Sequence, residues 1–358
     1  MSRIRMGVVG VGALGRHHAR ILSQMDGVEL VAVAEANAAR GQEIAAQHQT
    51  QWVADYHDLM PLVDAVSIVV PTVAHLDVAS EFLSRGIPVL VEKPLAHELA
   101  AGEALVELAD RKGVMLQVGH VERFNPAWQT AVPWCCSPKY IRTERLSTFT
   151  FRSTDIGVVL DLMIHDLDLV LSLAQSRIRQ VDAFGIGVMG SHEDAVQARL
   201  VFENGCIADL TASRISPEAK RTVQVWSLAG CVTVDLHQRK VSRFAPSAAL
   251  RFGDSPVTKS QRPGADVEAL KAGVFGELIE VHDLPVHQGD ALTNELRDFV
   301  DCVTTGRRPL VDGVQALAAM TAADLVLKQV AAHRWEGAAA GTTGPQILTV
   351  PPPTRKAG

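Results

Sequence analysis

The sequence predicts an α/β chain of two domains. A parallel sheet with helices on both faces occupies residues 1–120. An α+β domain with a mostly antiparallel sheet follows at 121–334, and a flexible tail at 335–358. Three observations carry this prediction. In the first third of the chain, short runs of Val, Ile and Leu alternate with stretches of helical period. After Gly119 that rhythm gives way to longer strands joined by short turns. The 358 residues, 47% hydrophobic and 21% charged, are enough for two cores of ordinary size.

The expected strands of the first domain are Ile4–Val9, Leu30–Ala34, Ala65–Val70, Pro88–Val91 and Val114–Val118. They are continuous rather than alternating in hydrophobicity, as strands covered on both faces must be. Between them lie expected helices at Arg16–Met25, Ala38–His48, Val73–Arg85 and Glu98–Lys112, and such alternation implies βαβ units. The aromatic- and Pro-rich segment Val121–Pro138 is expected to cross between domains. Beyond it the reading predicts a helix at Asp161–Ala174 and strands at Val181–Val188, Ala195–Phe202, Ile207–Ser213, Thr222–Leu228 and Cys231–Leu236. Glu203-Asn204-Gly205 and Ala229-Gly230 mark turns, so consecutive strands pair antiparallel. Residues 245–285 are expected to be a long irregular insertion, with helices returning at Asn294–Thr304 and Val314–Ala332.

A net charge of −6 gives no electrostatic reason to expect nucleic acid as a partner. Cys135, Cys136, Cys206, Cys231 and Cys302 are odd in number and lack CxxC spacing, so ordinary thiols in a reducing compartment are expected. No apolar segment has the length of a signal h-region or a membrane span, and the reading expects a cytoplasmic protein without a membrane partner. The histidines fit no metal-ligand spacing, and no metal is expected.

Gly10-Val-Gly12-Ala13-Leu14-Gly15 lies between the first strand and the first helix. In that context GxGxxG is a phosphate cradle. Gly10 permits the tight turn, Gly12 lets the backbone approach a pyrophosphate, and Gly15 lets helix and strand pack closely. The helix N-terminus offers its N–H groups to the phosphates. His17 and His18, in its first turn, are placed to contact such a cofactor. Glu35 ends the second strand 20 residues past Gly15, where a carboxylate accepts hydrogen bonds from ribose hydroxyls and repels a 2′-phosphate. NAD is therefore expected rather than NADP; Arg40, one helical turn on, is the residue able to receive that phosphate.

Val91-Glu92-Lys93-Pro94 ends the fourth expected strand, at the sheet edge where α/β proteins bind ligands. With the glycine motif, Val70-Pro71-Thr72 and His75, Gly119-His120-Val-Glu-Arg123-Phe-Asn125-Pro126, and Asp161-Leu-Met-Ile-His165-Asp166-Leu-Asp168, it makes the chain resemble the glucose–fructose oxidoreductase / inositol dehydrogenase (Gfo/Idh/MocA) family over residues 4–330. The resemblance implies a Rossmann domain, then a domain whose open sheet forms subunit contacts, hence a homodimer or homotetramer. It implies hydride transfer between nicotinamide and a hydroxyl-bearing ring carbon of a sugar. It places Lys93, Asp161 and His165 in the active site. Pro71 and Thr72 fall at the nicotinamide ribose, with His75, Glu92 and Lys93 alongside the cofactor. Glu35 departs from the Asp common at its position, by one methylene.

The residue chemistry agrees. Oxidising an alcohol requires a proton acceptor that titrates near neutral pH, and histidine is the usual choice. Asp161 and His165, four apart on one helix face, allow the carboxylate to fix the imidazole tautomer. Lys93 can stabilise alkoxide character, and either Lys93 or His165 is a candidate for the base. Arg123, Asn125 and His120 are candidate substrate ligands, or braces of the crossing. Asp168 shares the face of His165; Asp166 points elsewhere. The stretches 118–126 and 159–168 are similar to one bacterial branch, the UDP-N-acetylglucosamine 3-dehydrogenases. The alternatives are a dehydrogenase of a free polyol such as inositol and a non-catalytic NAD-binding regulator.

Overall fold

The computed structural model describes residues 3–151 and 154–335. Two compact units result, one of Met1–Asn125 with Gly289–Asp324, the other of Pro126–Gln288 with Leu325–Gly358.

In the first unit β1 (Ile4–Val9), α1 (Gly15–Ser23), β2 (Val28–Ala34), α2 (Ala38–His48), β3 (Gln51–Val53), β4 (Ala65–Ile68), α3 (His75–Ser84), β5 (Val89–Glu92), α4 (Leu99–Lys112) and β6 (Leu116–Gly119) follow one another. The strands pair parallel in the order β3-β2-β1-β4-β5-β6. The chain starts mid-sheet, winds to one edge, then returns past β1 to build the other half. The connections leaving β1 and β4 thus run in opposite directions and open a crevice at their carboxyl ends. Strand side chains are buried on both faces, and Met6, Val8, Val33 and Leu90 pack with Ile21 and Leu22 of α1. Local signals set the helix ends: Asn37 caps α2 by accepting the Arg40 N–H at 3.1 Å, and Gly113, at φ 63°, closes α4.

The second unit contains α5 (Pro126–Ala131), β7 (Tyr140–Leu146), α6 (Ile164–Ala174), β8 (Ile178–Ile186), β9 (Ala195–Phe202), β10 (Ile207–Ser213), β11 (Lys220–Ser227), β12 (Gly230–Asp235), β13 (Lys240–Pro246), α7 (Ala248–Phe252), α8 (Pro256–Ser260), α9 (Val267–Ala272) and β14 (Ile279–Leu284). Its sheet has the order β14-β13-β12-β11-β7-β10-β9-β8, antiparallel except for β7 beside β10. The register aligns Ala198, Leu210, Thr143 and Val223 across four strands, all buried, on the face that α6 covers. The alternate residues Phe184, Arg142 and Trp226 are exposed on the open face. Arg145, on the covered face, is tied to Asp166 of α6 at 2.8 Å with both side chains buried. That pair explains why Asp166 turns away from its neighbour His165.

Two expectations about the chain's organisation change. The crossing falls at Asn125/Pro126 rather than at 120, and it is not final. After β14 the chain returns with α10 (Ala291–Thr305), whose Leu296, Phe299 and Val300 join the core around β1 and α1. α11 (Gly313–Ala332) runs through the boundary between the units. By length and composition α11 could span a bilayer, but Ala316, Ala319, Ala323 and Val326 are buried inside protein. Residues 245–285, expected to be irregular, instead carry three short helices and an edge strand. Of the expected tail, 336–358 lies outside the described residues.

Phe299 is fully buried and lies far along the chain from the core it fills. Phe299→Ala is expected to cost the first unit about 3–5 kcal/mol. Urea unfolding followed by a probe in that unit checks this; a loss below about 1 kcal/mol would remove α10 from that core.

Candidate functional site

The glycines of the cradle are each demanded by a different contact. Gly10 sits at φ +83°, and a Cβ there would lie 2.5 Å from the Val69 carbonyl oxygen. A Cβ on Gly15 would collide with the Gly10 carbonyl, so α1 crosses the turn at backbone contact. At Gly12 nothing lies within 4 Å of the Cβ position. That space is the approach a pyrophosphate needs. Ala13 and Leu14 are exposed beside it, and Leu14, at the N-cap of α1, provides no side-chain acceptor for the first-turn N–H groups. The cradle therefore fits a dinucleotide.

Glu35 is fixed at the end of β2. One carboxylate oxygen accepts the Val11 N–H at 3.0 Å; the other accepts the Asn37 N–H at 2.9 Å and an Arg40 N–H at 2.8 Å. Burial alone would raise its pKa, but the Arg40 and backbone donors outweigh it and hold the carboxyl below its ordinary range. Arg40 is thus engaged by the carboxylate that would repel a 2′-phosphate.

The next two strand ends continue the same edge. After β4 the chain passes Val70 and Pro71 into a short turn at Thr72–Ala74, with Thr72 half-buried. His75 opens α3, and its ring is buried. Nδ1 faces the Pro94 carbonyl at 2.9 Å and Nε2 faces the Val70 carbonyl at 3.0 Å. Burial pushes its pKa down against the pull of those carbonyls. His75 therefore joins the loop after β4 to the loop after β5, a bridge the sequence pattern did not reveal. Glu92 ends β5, buried; Lys93 follows, half-buried, with a cis bond to Pro94.

His18 points inward. Its Nδ1 lies 2.8 Å from Ser67 Oγ and its Nε2 3.1 Å from Glu92 Oε1, so it packs under the sheet edge and not against the cradle. Past β6, His120, Arg123 and Asn125 are buried in and around a short turn, and the Asn125 amide donates to Glu122 at 3.0 Å.

Asp161 and His165 belong to the second unit. The helix expected from Asp161 begins in a π turn, Val159–Met163, before α6 continues it. Such turns concentrate at functional sites. Asp161 and His165 are half-buried, whereas Met163, Ile164 and residues 166–170 are buried, so these two titratable groups mark the helix's accessible side. Asp168, expected on that side, is buried. The start of the helix is clamped by residues that carry no motif or periodicity of their own. Glu193 accepts the Val158 N–H at 2.9 Å through its carbonyl and the Val159 N–H at 3.1 Å through its carboxylate. Arg214, paired with buried Asp194 at 2.7 Å, donates to the Ile156 carbonyl at 2.8 Å. Gly157 has no room for a Cβ against Glu193.

A family model described as an oxidoreductase family with an NAD-binding Rossmann fold matches residues 4–120, and the C-terminal domain model of the same group matches 133–232. UDP-N-acetylglucosamine 3-dehydrogenase of Acidithiobacillus ferrooxidans is 33% identical over 324 residues, 90% of this chain and 96% of its own. A solved structure of that enzyme superimposes with a TM-score of 0.80, covering 92% of this chain and 98% of the other. The NAD-dependent scyllo-inositol 2-dehydrogenase of Bacillus subtilis is 25% identical, over 88% and 90% of the two chains.

Gly12→Ala should leave the apo fold intact, since its Cβ meets open space, yet weaken NAD binding by about tenfold or more (roughly 1.4 kcal/mol). Calorimetric titration and a thermal melt separate these; unchanged NAD affinity would refute the cradle. Glu35→Ser, which releases Arg40, is expected to lower the NADP dissociation constant relative to that of NAD. The depressed carboxyl of Glu35 contributes stability that is complete above the ordinary carboxylate pKa of about 4.3 and is lost as pH falls through its lower folded value. The stability difference between wild type and Glu35→Gln should therefore shrink on acidification below pH ~4 and stay flat above it.

Proposed function

Because the chain belongs to the Gfo/Idh/MocA oxidoreductase family, we propose that it oxidises a secondary ring alcohol of a nucleotide sugar, UDP-N-acetylglucosamine at C3, with NAD. The observation that carries the reading is Lys93 at the carboxyl end of β5, on the sheet edge that also bears the Gly10–Gly15 cradle. That edge receives the dinucleotide, and a cation there is placed for an oxygen gaining negative charge. The choice of nucleotide sugar is supported by the relative that matches along nearly the whole of both chains.

NAD, when bound, supplies the hydride acceptor at nicotinamide C4. The protein's part is proton handling and electrostatics. His165 removes the hydroxyl proton as the C–H electron pair departs with its hydrogen, leaving a ketone. Asp161 holds the imidazole in the tautomer that presents a bare nitrogen and stabilises the imidazolium that forms. Lys93 donates to the substrate oxygen while it has alkoxide character. Pro71 and Thr72 are assigned to the nicotinamide ribose, with His75 acting through the loops it joins. Arg123 and Asn125 are assigned to the diphosphate and sugar hydroxyls, and His120 to the substrate. The clamp formed by Glu193 and Arg214 keeps the Asp161/His165 turn in register.

The same reading makes the enzyme a homodimer or homotetramer through the open sheet face, where Phe184 and Trp226 are exposed. It places the protein in the cytoplasm, in keeping with five free thiols.

Purified protein with NAD and UDP-N-acetylglucosamine is expected to produce reduced nicotinamide absorbance, and inositol or glucose is not. Turnover with a free polyol alone would keep the chemistry and discard the nucleotide sugar. His165→Ala should bind NAD normally and lose about 10²–10⁴-fold in kcat; unchanged kcat would refute its role as base.

A further inference from the structure

The group the proposed chemistry leaves unused is the buried chain Ser67–His18–Glu92. It starts on β4, passes through α1 and ends at the residue before Lys93. Glu92 Oε1 lies 3.1 Å from His18 Nε2, within ion-pair distance but not aligned as a hydrogen bond. On the other side of the ring, Nδ1 shares a hydrogen bond with Ser67 Oγ at 2.8 Å. The second carboxylate oxygen, Oε2, accepts the backbone N–H of Lys93 at 3.3 Å. The carboxylate also lies against Gly119 at the end of β6, where a Cβ would fall 2.9 Å from its carbon and both oxygens. Imidazole on one side and a bare glycine on the other confine it. His18 itself is on the helix whose N-terminus forms the phosphate cradle, three residues past Gly15.

We infer that His18 is a positioning residue that ties the phosphate-binding helix α1 to Lys93 through the confined Glu92 carboxylate. This rests on the assignment of Lys93 to the substrate oxygen. Without the His18 ring 3.1 Å away, the buried carboxylate loses the group that confines it on one side and has reason to turn, and the peptide N–H of Lys93 loses a fixed acceptor. Glu92, expected from sequence to face the cofactor, then acts through its neighbours in the sheet edge. A burial-only role for His18 predicts lost stability but an unaltered Lys93 in the molecules that remain folded.

Two variants disturb the carboxylate from opposite sides. His18→Leu removes the ring nitrogen that faces the carboxylate and keeps bulk; Gly119→Ala pushes on the carboxylate and leaves His18 and Ser67 in place. The first readout needs no substrate. Folded protein is treated with acetic anhydride, and acetylation of Lys93 is compared by peptide mass spectrometry with that of exposed Lys112. The ratio is expected to rise about threefold or more in both variants as Lys93 loses its fixed place. The second readout is steady-state kinetics with UDP-N-acetylglucosamine and NAD: kcat should fall about tenfold or more while KM and the NAD dissociation constant change less than about twofold. An unchanged acetylation ratio in both variants overturns the inference, whatever happens to the melting temperature. Lys93→Met, run alongside, separates the two claims. If it is inactive and His18→Leu keeps wild-type kcat, the inference fails alone; if it turns over normally, the role of Lys93 and the inference built on it fall together.

Discussion

The backbone contact between Gly15 and the Gly10 carbonyl is the constraint on which the cofactor half depends. With no Cβ at either residue, α1 leaves the sheet immediately after β1 and aims its N-terminus at the crevice between β1 and β4. Every other element of that half is referenced to the same edge. Glu35 ends β2 and accepts the Val11 N–H inside the cradle, so the end of β2 braces the glycine loop. His75 joins the loops after β4 and β5, and His18 ties α1 to β5. Because the strands are parallel and adjacent, these ties run between carboxyl ends only a strand apart.

The second unit obeys a different constraint. There the sheet is mostly antiparallel, one face is covered, and Asp161 and His165 stand on a helix that the covered face supports. Arg145 and Arg214 are buried cations satisfied by Asp166 and Asp194. Such pairs add little net stability against apolar replacements, but removing one partner strands a buried charge at a cost of about 3–5 kcal/mol. Their value here is directional. Asp166 is held inward, which leaves His165 and Asp161 as the accessible acid–base groups of that helix.

Much of this was legible in the sequence, and for identifiable reasons. Strands buried on both faces write continuous apolar runs, and the glycine spacing records steric demands that only glycine meets; so the parallel sheet, the glycine turn and the place of Glu35 at the end of β2 could be read directly. β7 was not, because Tyr-Ile-Arg-Thr-Glu-Arg-Leu alternates charge with apolar residues and hides its buried Arg145. β14, at the sheet edge, and β13 beside it were lost for the same reason, since both lie half in solvent and carry Lys, Arg and His. The return of α10 to the first core leaves no local signature, because packing between residues nearly 300 positions apart is invisible to periodicity. His18 was assigned to the cofactor from its place one turn past Gly15; what turned it inward was the pairing of Ser67 and Glu92 on the strands beneath, a fact of sheet order. Glu193 and Arg214 had no signal at all.

The central claim is that a ring hydrogen of the nucleotide sugar leaves as hydride for the dinucleotide held by the Gly10–Gly15 cradle. The measurement that tests it most directly is turnover of UDP-N-acetylglucosamine carrying deuterium at C3, with mass analysis of the reduced cofactor. The account predicts one deuterium at nicotinamide C4 in every reduced molecule and none lost to water. Reduced cofactor bearing only protium would contradict it.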